Sequence, residues 1–247
     1  MDLKAFAVDL HIHSCLSPCG DLDMTPNNIV NMSLLKGLDA IAVADHNSGR
    51  NLPTVAKVAR KSGLTLVPGI EVNTKEEIHA LAYFNRVEDA MEFGDYLYKK
   101  LPDIKNDEKL FGQQLELNEF DEESGKVEKL LINSVDITIS RLDELAKDLG
   151  GVIVPAHIDR RSFSIVSNLG FIPDELDIKT VELSSMYKKG QNPLIDMIAA
   201  KYRILRSSDA HYLHQILERE FFMHLDENTP EAIIGKLKEG KQKAKDL

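Results

Sequence analysis

The chain has 247 residues, is 43% hydrophobic and carries a net charge of −10 at neutral pH; that length is enough for one sizeable core, and a single α/β barrel of this size is ordinary. The acidic balance disfavours long nucleic acid as a partner, because proteins that wrap it usually present a basic face. Two cysteines in one loop make no disulfide framework, no apolar run nears the roughly 20 residues of a membrane span, and the opening MDLKAFAVDL does not read as a secretory signal, so the expectation is a soluble, cytoplasmic protein.

In chain order, apolar or β-branched runs predict strands over Ala5–His11, Ala40–Asp45, Thr65–Asn73, His79–Phe84, Gly151–His157, Thr180–Ser184, Arg203–Ser207 and Phe221–Leu225. Helical patterns lie between most of them, over Pro26–Leu35, Asn51–Ser62, Val87–Lys99, Ile139–Leu149, Pro193–Ala200 and Pro230–Glu239. Thr25–Pro26 and Thr229–Pro230 read as an N-cap followed by a first-turn proline, and Gly37, Gly63 and Gly150 fall where helices should stop. This alternation implies a parallel sheet, and seven or eight strands favour a closed barrel over an open sheet. One stretch breaks the rhythm: Phe111–Ser134 alternates on both sides of an acidic turn at Ser124–Gly125, which predicts a β-hairpin, either a lid or a solvated edge, inserted over about residues 105–135 of a single 1–247 domain. The tail KEGKQKAKDL reads as a fraying helix end.

Polar residues with metal-binding chemistry fall at the predicted strand ends. His11 and His13 follow the first strand, His46 ends the second and Glu71 the third; His157 ends the fifth, and Asp209 and His211 follow the seventh. In a parallel barrel these ends converge on one face, which is where such folds place their chemistry. His79 opens its strand instead, and reaches the same mouth if Thr74–Glu77 turns an antiparallel hairpin that sets Val72 opposite His79. Each residue alone reads as easily as structural; six of the eight histidines with one Asp and one Glu at one rim do not. His214 and His224 fall outside the pattern and read as ordinary histidines. Imidazole and carboxylate together suit Zn²⁺, Mn²⁺ or Fe²⁺, eight donors are too many for one ion, and Glu71 can bridge two. Asp9 and Asp45 either orient ligating imidazoles or make strand-end hydrogen bonds.

The stretches DLHIHS, VADHN, GIEVN with EIHALAYF, VPAHIDR and SSDAH, in that order from Asp9 to His211, resemble the PHP (polymerase and histidinol phosphatase) superfamily. The resemblance implies a distorted (β/α)7 barrel, hydrolysis of phosphoesters and a trinuclear metal centre. On the matching positions it implies one metal on His11, His13, Glu71 and Asp209, and a second on Glu71, His79 and His157. It implies a third on His46, His211 and a residue of the loop after HxH. That loop departs from the family pattern by reading SPCGD, so Cys19 is the nearest candidate and Asp21 the alternative; a thiolate would favour Zn²⁺.

Two to three divalent ions are therefore expected, with Glu71, Asp209 and His211 as catalytic residues and a metal-bridging hydroxide as nucleophile. A protonated neighbour such as His211, or the third metal, would stabilise the leaving oxygen. Arg160 and Arg161, just past His157, are the expected phosphate binders, ahead of Arg206 and Lys188–Lys189. The expected substrates are small phosphate esters: a nucleotide, a short nucleotide or a sugar phosphate. The alternatives are a single-strand nuclease or exonuclease, and a non-catalytic metal-binding regulatory module. The oligomeric state and the exact substrate are left open.

Overall fold

Helix starts follow the capping chemistry of the sequence. Thr25, Thr138, Ser164, Asn192 and Thr229 each accept a backbone N–H of the first helical turn through the side chain. The computed structural model describes residues 3–241. Its helices are α1 (Pro26–Leu35), α2 (Leu52–Ser62), α3 (Val87–Lys100), α4 (Glu108–Phe111), α5 (Ile139–Asp148), α6 (Ile165–Leu169), α7 (Pro193–Ala199) and α8 (Pro230–Lys238). The strands are β1 (Lys4–Ile12), β2 (Ala40–His46), β3 (Thr65–Leu66), β4 (Gly69–Asn73), β5 (His79–Tyr83), β6 (Leu115–Leu117), β7 (Glu123–Lys126), β8 (Val152–Pro155), β9 (Thr180–Ser184), β10 (Arg203–Ser207) and β11 (Phe222–Leu225). The single strand expected over Thr65–Asn73 is split into β3 and β4 around Pro68, which has no N–H to give a ladder. The tail expected to fray falls mostly on residues 242–247, outside the described residues. Among the described residues no helix is long and apolar enough to cross a membrane.

The main sheet runs β11-β1-β2-β4-β5-β8, with β3 also paired to β2, and β9-β10 form a separate pair. The sheet is mixed: the antiparallel hairpin considered for His79 is present as β4–β5, and antiparallel β5–β8 and β1–β11 correct the expectation of parallel pairing elsewhere. β1–β2, β2–β4 and β9–β10 are parallel, whereas β4–β5, β5–β8 and β1–β11 are antiparallel. The link from β4 to β5 is a tight turn, too short for the crossover that parallel neighbours need. Among the described residues the ladders leave two seams, between β8 and β9 and between β10 and β1. A few backbone bonds span them: Ile158 N to Glu182 O at 2.9 Å across the first, and His13 N to Ala210 O at 2.9 Å with Ala210 N to His11 O at 3.3 Å across the second. The closed ladder of the expected barrel is thus not seen, and the fold is a mixed α/β one.

Alternation along the strands sorts side chains onto two faces. Ala40, Ala42 and Ala44 join Leu81, Tyr83, Val154 and α8 in one buried cluster. Ile41, Val43, Ile70, Val72, Ala80 and Ala82 pack with α1, α2, α3 and α5 in the other. His46 continues the first series, Glu71 lies between two residues of the second, and His79 falls in phase with Leu81 and Tyr83. All three therefore project from the first face.

The hairpin β6–β7 exists, but its turn is not where the sequence placed it. Asn118 N donates to Glu122 O at 2.9 Å, and Asn118 Oδ1 accepts from Phe120 N and Glu122 N. This side-chain turn chemistry outcompetes Ser124–Gly125, which lie inside β7. The hairpin is anchored on one side and solvated on the other, with β7 largely exposed. Leu115 N donates to Cys15 O at 3.0 Å, Asn51 Nδ2 bridges Ser14 Oγ and Leu115 O, each at 3.0 Å, and a Cβ at Gly112 would collide with Pro18 O. It braces the loop that follows His13.

Candidate metal centre

Seven buried or half-buried side chains surround Glu71. His79 Nδ1 lies 2.9 Å from Oε1, His157 Nε2 3.3 Å and His11 Nε2 3.4 Å. His46 Nδ1 and His13 Nε2 lie 3.1 and 3.4 Å from Oε2. Asp209 Oδ1 adds a second carboxylate, 3.3 Å from His11 Nε2 and 3.1 Å from His13 Nε2. His211 stacks on His13, with ring centroids 4.3 Å apart. Five imidazoles on one carboxylate, all within 3.4 Å, would be crowded and wasteful as plain hydrogen bonding. Around a cation the spacing is natural, since a tetrahedron with bonds of about 2.1 Å has edges of about 3.4 Å. Glu71 Oε2, His46 Nδ1 and His157 Nδ1 are buried without a hydrogen-bond partner, so these donor atoms are also free to ligate.

Two of these residues sit in the left-handed backbone region, His157 at φ +28° and Asp209 at φ +54°, as does Asn47 at φ +49° beside His46. Strained backbone of this kind persists where surrounding bonds over-determine it. Asn47 Nδ2 donates to Leu131 O and Asn133 O, and its Oδ1 accepts from Asn73 N.

In His11, His13 and His211 one ring nitrogen is tied down. His11 Nδ1 donates to the Glu182 carboxylate at 3.1 and 3.2 Å, which leaves its Nε2 lone pair facing Glu71 and Asp209. Ser17 Oγ–H donates to Asp45 Oδ1 at 2.7 Å, so Ser17 Oγ accepts from His13 Nδ1 at 2.9 Å. His211 Nδ1 donates to Asp209 O at 2.8 Å. Such outer bonds fix the tautomer and raise ligand basicity. Asp45 thus acts on His13 through Ser17. Asp9 instead makes strand-end bonds, accepting from Ser208 N and Leu217 N, each at 3.0 Å.

Electrostatics follow from burial against charge. Burial opposes the imidazolium at His13, but Asp209 and Glu71 outweigh it and lift its pKa to about 9. At His46 burial is outweighed by Glu71 and the Cys19 side chain, again to about 9. His11 rises well above the usual histidine value, since Glu182, Asp209 and Glu71 together overcome its burial. Burial pushes the Glu71 and Asp209 carboxyls up, yet the surrounding imidazoles hold both below the usual range. Burial lowers His79; burial and the neighbouring His13 bring His211 down to about 4.

The structure gathers His11, His13, His46, Glu71, His79, His157, Asp209 and His211 as the sequence led us to expect, with three differences. The β4–β5 register is one residue off, pairing Asn73 with His79 and Val72 with Ala80. His13 closes a group with His46 and His211. Cys19 is not part of that group and is exposed. Asp21 accepts from Asp23 N at 2.9 Å and caps its own loop. Arg160 reaches the rim, with Nη1 2.6 Å from Asp209 Oδ2, and Arg161 lines the adjoining cleft with His79, His157 and Phe163. Arg206 donates to Ser184 O and Ser185 O and, with Lys189, lines a different cavity. Lys188, His214 and His224 are exposed. Sequence reasoning missed Glu182, whose one signal was a lone acid in the apolar run TVELS, and Ser17.

Comparison with known proteins follows the same lines. A family model, the PHP domain, matches residues 9–151. An uncharacterised protein of Methanocaldococcus jannaschii is 27% identical over 150 residues, 61% of this chain and 16% of its own length. Another from that organism is 33% identical over 76 residues, 28% of this chain and 44% of its own. The chain therefore spans less than half of either relative. Among solved structures, the lesion-specific endonuclease PfuEndoQ from Pyrococcus furiosus superposes with a TM-score of 0.71 at 22% identity, over 95% of this chain and 56% of that one. A protein described as a metal-dependent phosphoesterase from Bifidobacterium adolescentis gives 0.59 at 18%, over 98% and 99%. At these identities the likeness is one of fold. The family model covers more than half of the chain and takes in the HxH stretch, His46, Glu71 and His79, and on that match the chain belongs to the PHP domain family.

Proposed function

We propose that this protein hydrolyses phosphoesters at a centre of two to three divalent ions. One ion would be held by His11, His13, Glu71 and Asp209, a second by Glu71, His79 and His157 with His46 alongside, and a third by His46 and His211 beside His13. The observation that carries the reading is the crowding of five imidazoles around Glu71 within 3.4 Å. Zn²⁺, Mn²⁺ and Fe²⁺ suit this donor set. Bound ions of this kind lower the pKa of water and neutralise phosphoryl oxygens. The protein's own residues divide the remaining work. Glu71 turns one oxygen to His79 and His157 and the other to His46 and His13, so it joins the sets. Arg160 holds the free oxygen of Asp209 and is 44% exposed, which lets its guanidinium exchange that carboxylate for an incoming phosphate. His211, at about 4, is neutral near pH 7, so it serves as a ligand rather than as the acid for the leaving oxygen. In the same reading the strand ring, with its two loop-bridged seams, is a distorted (β/α)7 barrel.

The substrate we favour is a small ester of the nucleotide or sugar-phosphate kind, in keeping with the net charge of −10. A second reading, cleavage of a nucleic-acid strand, draws on the fold likeness to an endonuclease Q solved with a 27-mer duplex bearing an abasic lesion (TM-score 0.69, 21% identity, 57% of that chain). That likeness leans against a restriction to small molecules. A screen of phosphomonoesters, cyclic nucleotides and short oligonucleotides with Zn²⁺, Mn²⁺ and Fe²⁺ tests both. Turnover of free nucleotides supports the first reading, and turnover of oligonucleotides with strongly salt-dependent binding supports the second. A metal-loaded protein that cleaves nothing in the panel refutes both.

A further inference from the structure

Phe163 stands at the edge of the centre in a conformation its side chain does not favour. Its φ is +55°, in the left-handed region where a Cβ crowds the backbone and bulky residues are rare. Bonds on both sides hold it there. Phe163 O accepts from His79 N at 2.8 Å. The next residue, Ser164, donates through Oγ to Ile158 O at 2.9 Å and caps α6. Apolar burial does not account for the placement, because Phe163 keeps 42% of its surface exposed. One face of the ring lies on His79, with centroids 4.6 Å apart and planes 20° from parallel. The residue also lines the cleft shared by His79, His157, Asp159, Arg160, Arg161 and Ser162. An exposed aromatic plane therefore stands beside two guanidinium groups and two imidazoles of the centre.

Guanidinium groups recognise phosphate, and an open aromatic face recognises a flat π system; a nucleotide carries both, whereas a sugar phosphate lacks the second. We propose that Phe163 forms a stacking subsite for the base of a nucleotide whose phosphate meets Arg160, which makes a nucleotidyl ester the substrate class. This rests on the phosphoesterase reading above, and the test separates the two. The probe is the 5′-methylenephosphonate of 2-aminopurine deoxyriboside, whose P–C bond resists hydrolysis and whose fluorescence is quenched on stacking. Wild type should quench it; Phe163→Leu should bind it roughly 5- to 150-fold more weakly, the range for loss of one base–aromatic stack, and Phe163→Tyr should restore both affinity and quenching. Melting curves establish that the Leu variant is folded. In turnover, Phe163→Leu should lose its preference for deoxyadenosine monophosphate over deoxyribose 5-phosphate. Equal quenching and affinity in wild type and Phe163→Leu, or no binding of the probe by wild type, overturns the subsite. Failure of the phosphoesterase reading shows itself separately, as no ester turned over by metal-loaded wild type whatever the probe does.

Discussion

Glu182→Gln is the sharpest probe of how the centre is held, because it changes one atom of a residue that touches no expected substrate. The wild-type carboxylate accepts two buried N–H groups: His11 Nδ1 at 3.1 and 3.2 Å and the His157 backbone N at 2.9 Å. An amide of the same shape offers one acceptor oxygen and one NH₂. Whichever way it turns, one of those N–H groups faces a donor. An unsatisfied buried group costs about 1–3 kcal/mol, and loss of an outer-shell partner of a ligating histidine typically costs about 10–100-fold in metal affinity. We therefore expect Glu182→Gln to weaken the ion on His11 by about one to two orders of magnitude. In a domain of this size, about 1 kcal/mol also lowers the melting temperature by about 2–4 °C. Competition against a chromophoric chelator measures the affinity, and calorimetry of the metal-free protein measures the melting. A variant that binds metal as tightly as wild type and melts at the same temperature would refute the idea that Glu182 orients His11.

Other expectations follow from the same geometry. His13→Ala should lose bound metal by elemental analysis and lose phosphoesterase turnover while keeping a cooperative melt, since no neighbour can move to replace the imidazole; full metal content with unchanged turnover would return HxH to an ordinary strand end. Arg160→Ala should raise KM or lower kcat with metal content unchanged, and if Arg161→Ala and Arg160→Ala both keep wild-type kinetics, neither arginine binds the phosphate. In the metal-free protein, His13 and His46 sit at about 9, above the ordinary 6.5. Their stabilisation is full below pH 6.5 and fades as the pH rises through 9. Glu71 and Asp209 are depressed, so their stabilisation is present above their ordinary values of 4.5 and 3.8 and is lost as the pH falls below them. The melting temperature of stripped protein should then fall on the alkaline side, and added Zn²⁺ should flatten that arm because deprotonated ligands favour the metal; a stripped protein that grows more stable from pH 6.5 to 9 contradicts this.

What could be read in advance was set by local chemistry. Strand ends carrying His46, Glu71 and Asp209 were visible because apolar runs stop there, and Pro26 and Pro230 marked helix starts through their fixed φ. Strand direction has no such local signal. The antiparallel placements of β8 and β11 depend on link length and on which edge is free; that of β5 was legible from the short Thr74–Glu77 link, but its register is one residue off because the turn is closed by Thr74 bonding to Ile78 N rather than marked by Gly, Asn or Pro. Glu182 was hidden for a related reason: in TVELS an acid reads as the polar phase of a strand, and only the fold reveals that His11, 171 residues away in sequence, donates to it.

The family resemblance divides the ligands into three lists, but in space the lists overlap. Donor atoms of His13, His46 and His211 converge; those of His11, His13, Glu71 and Asp209 converge; and so do those of His46, Glu71 and His79. His13 and His46 each belong to two groups, because their strands end side by side above a single buried carboxylate. The loop SPCGD contributes no donor to these groups, and the group that holds His46 and His211 is completed by His13. A centre built this way does not consist of independent sites. Whatever moves His13 or His46 moves two donor groups at once, and the hairpin that braces the loop after His13 through Cys15 O and Ser14 Oγ bears on both.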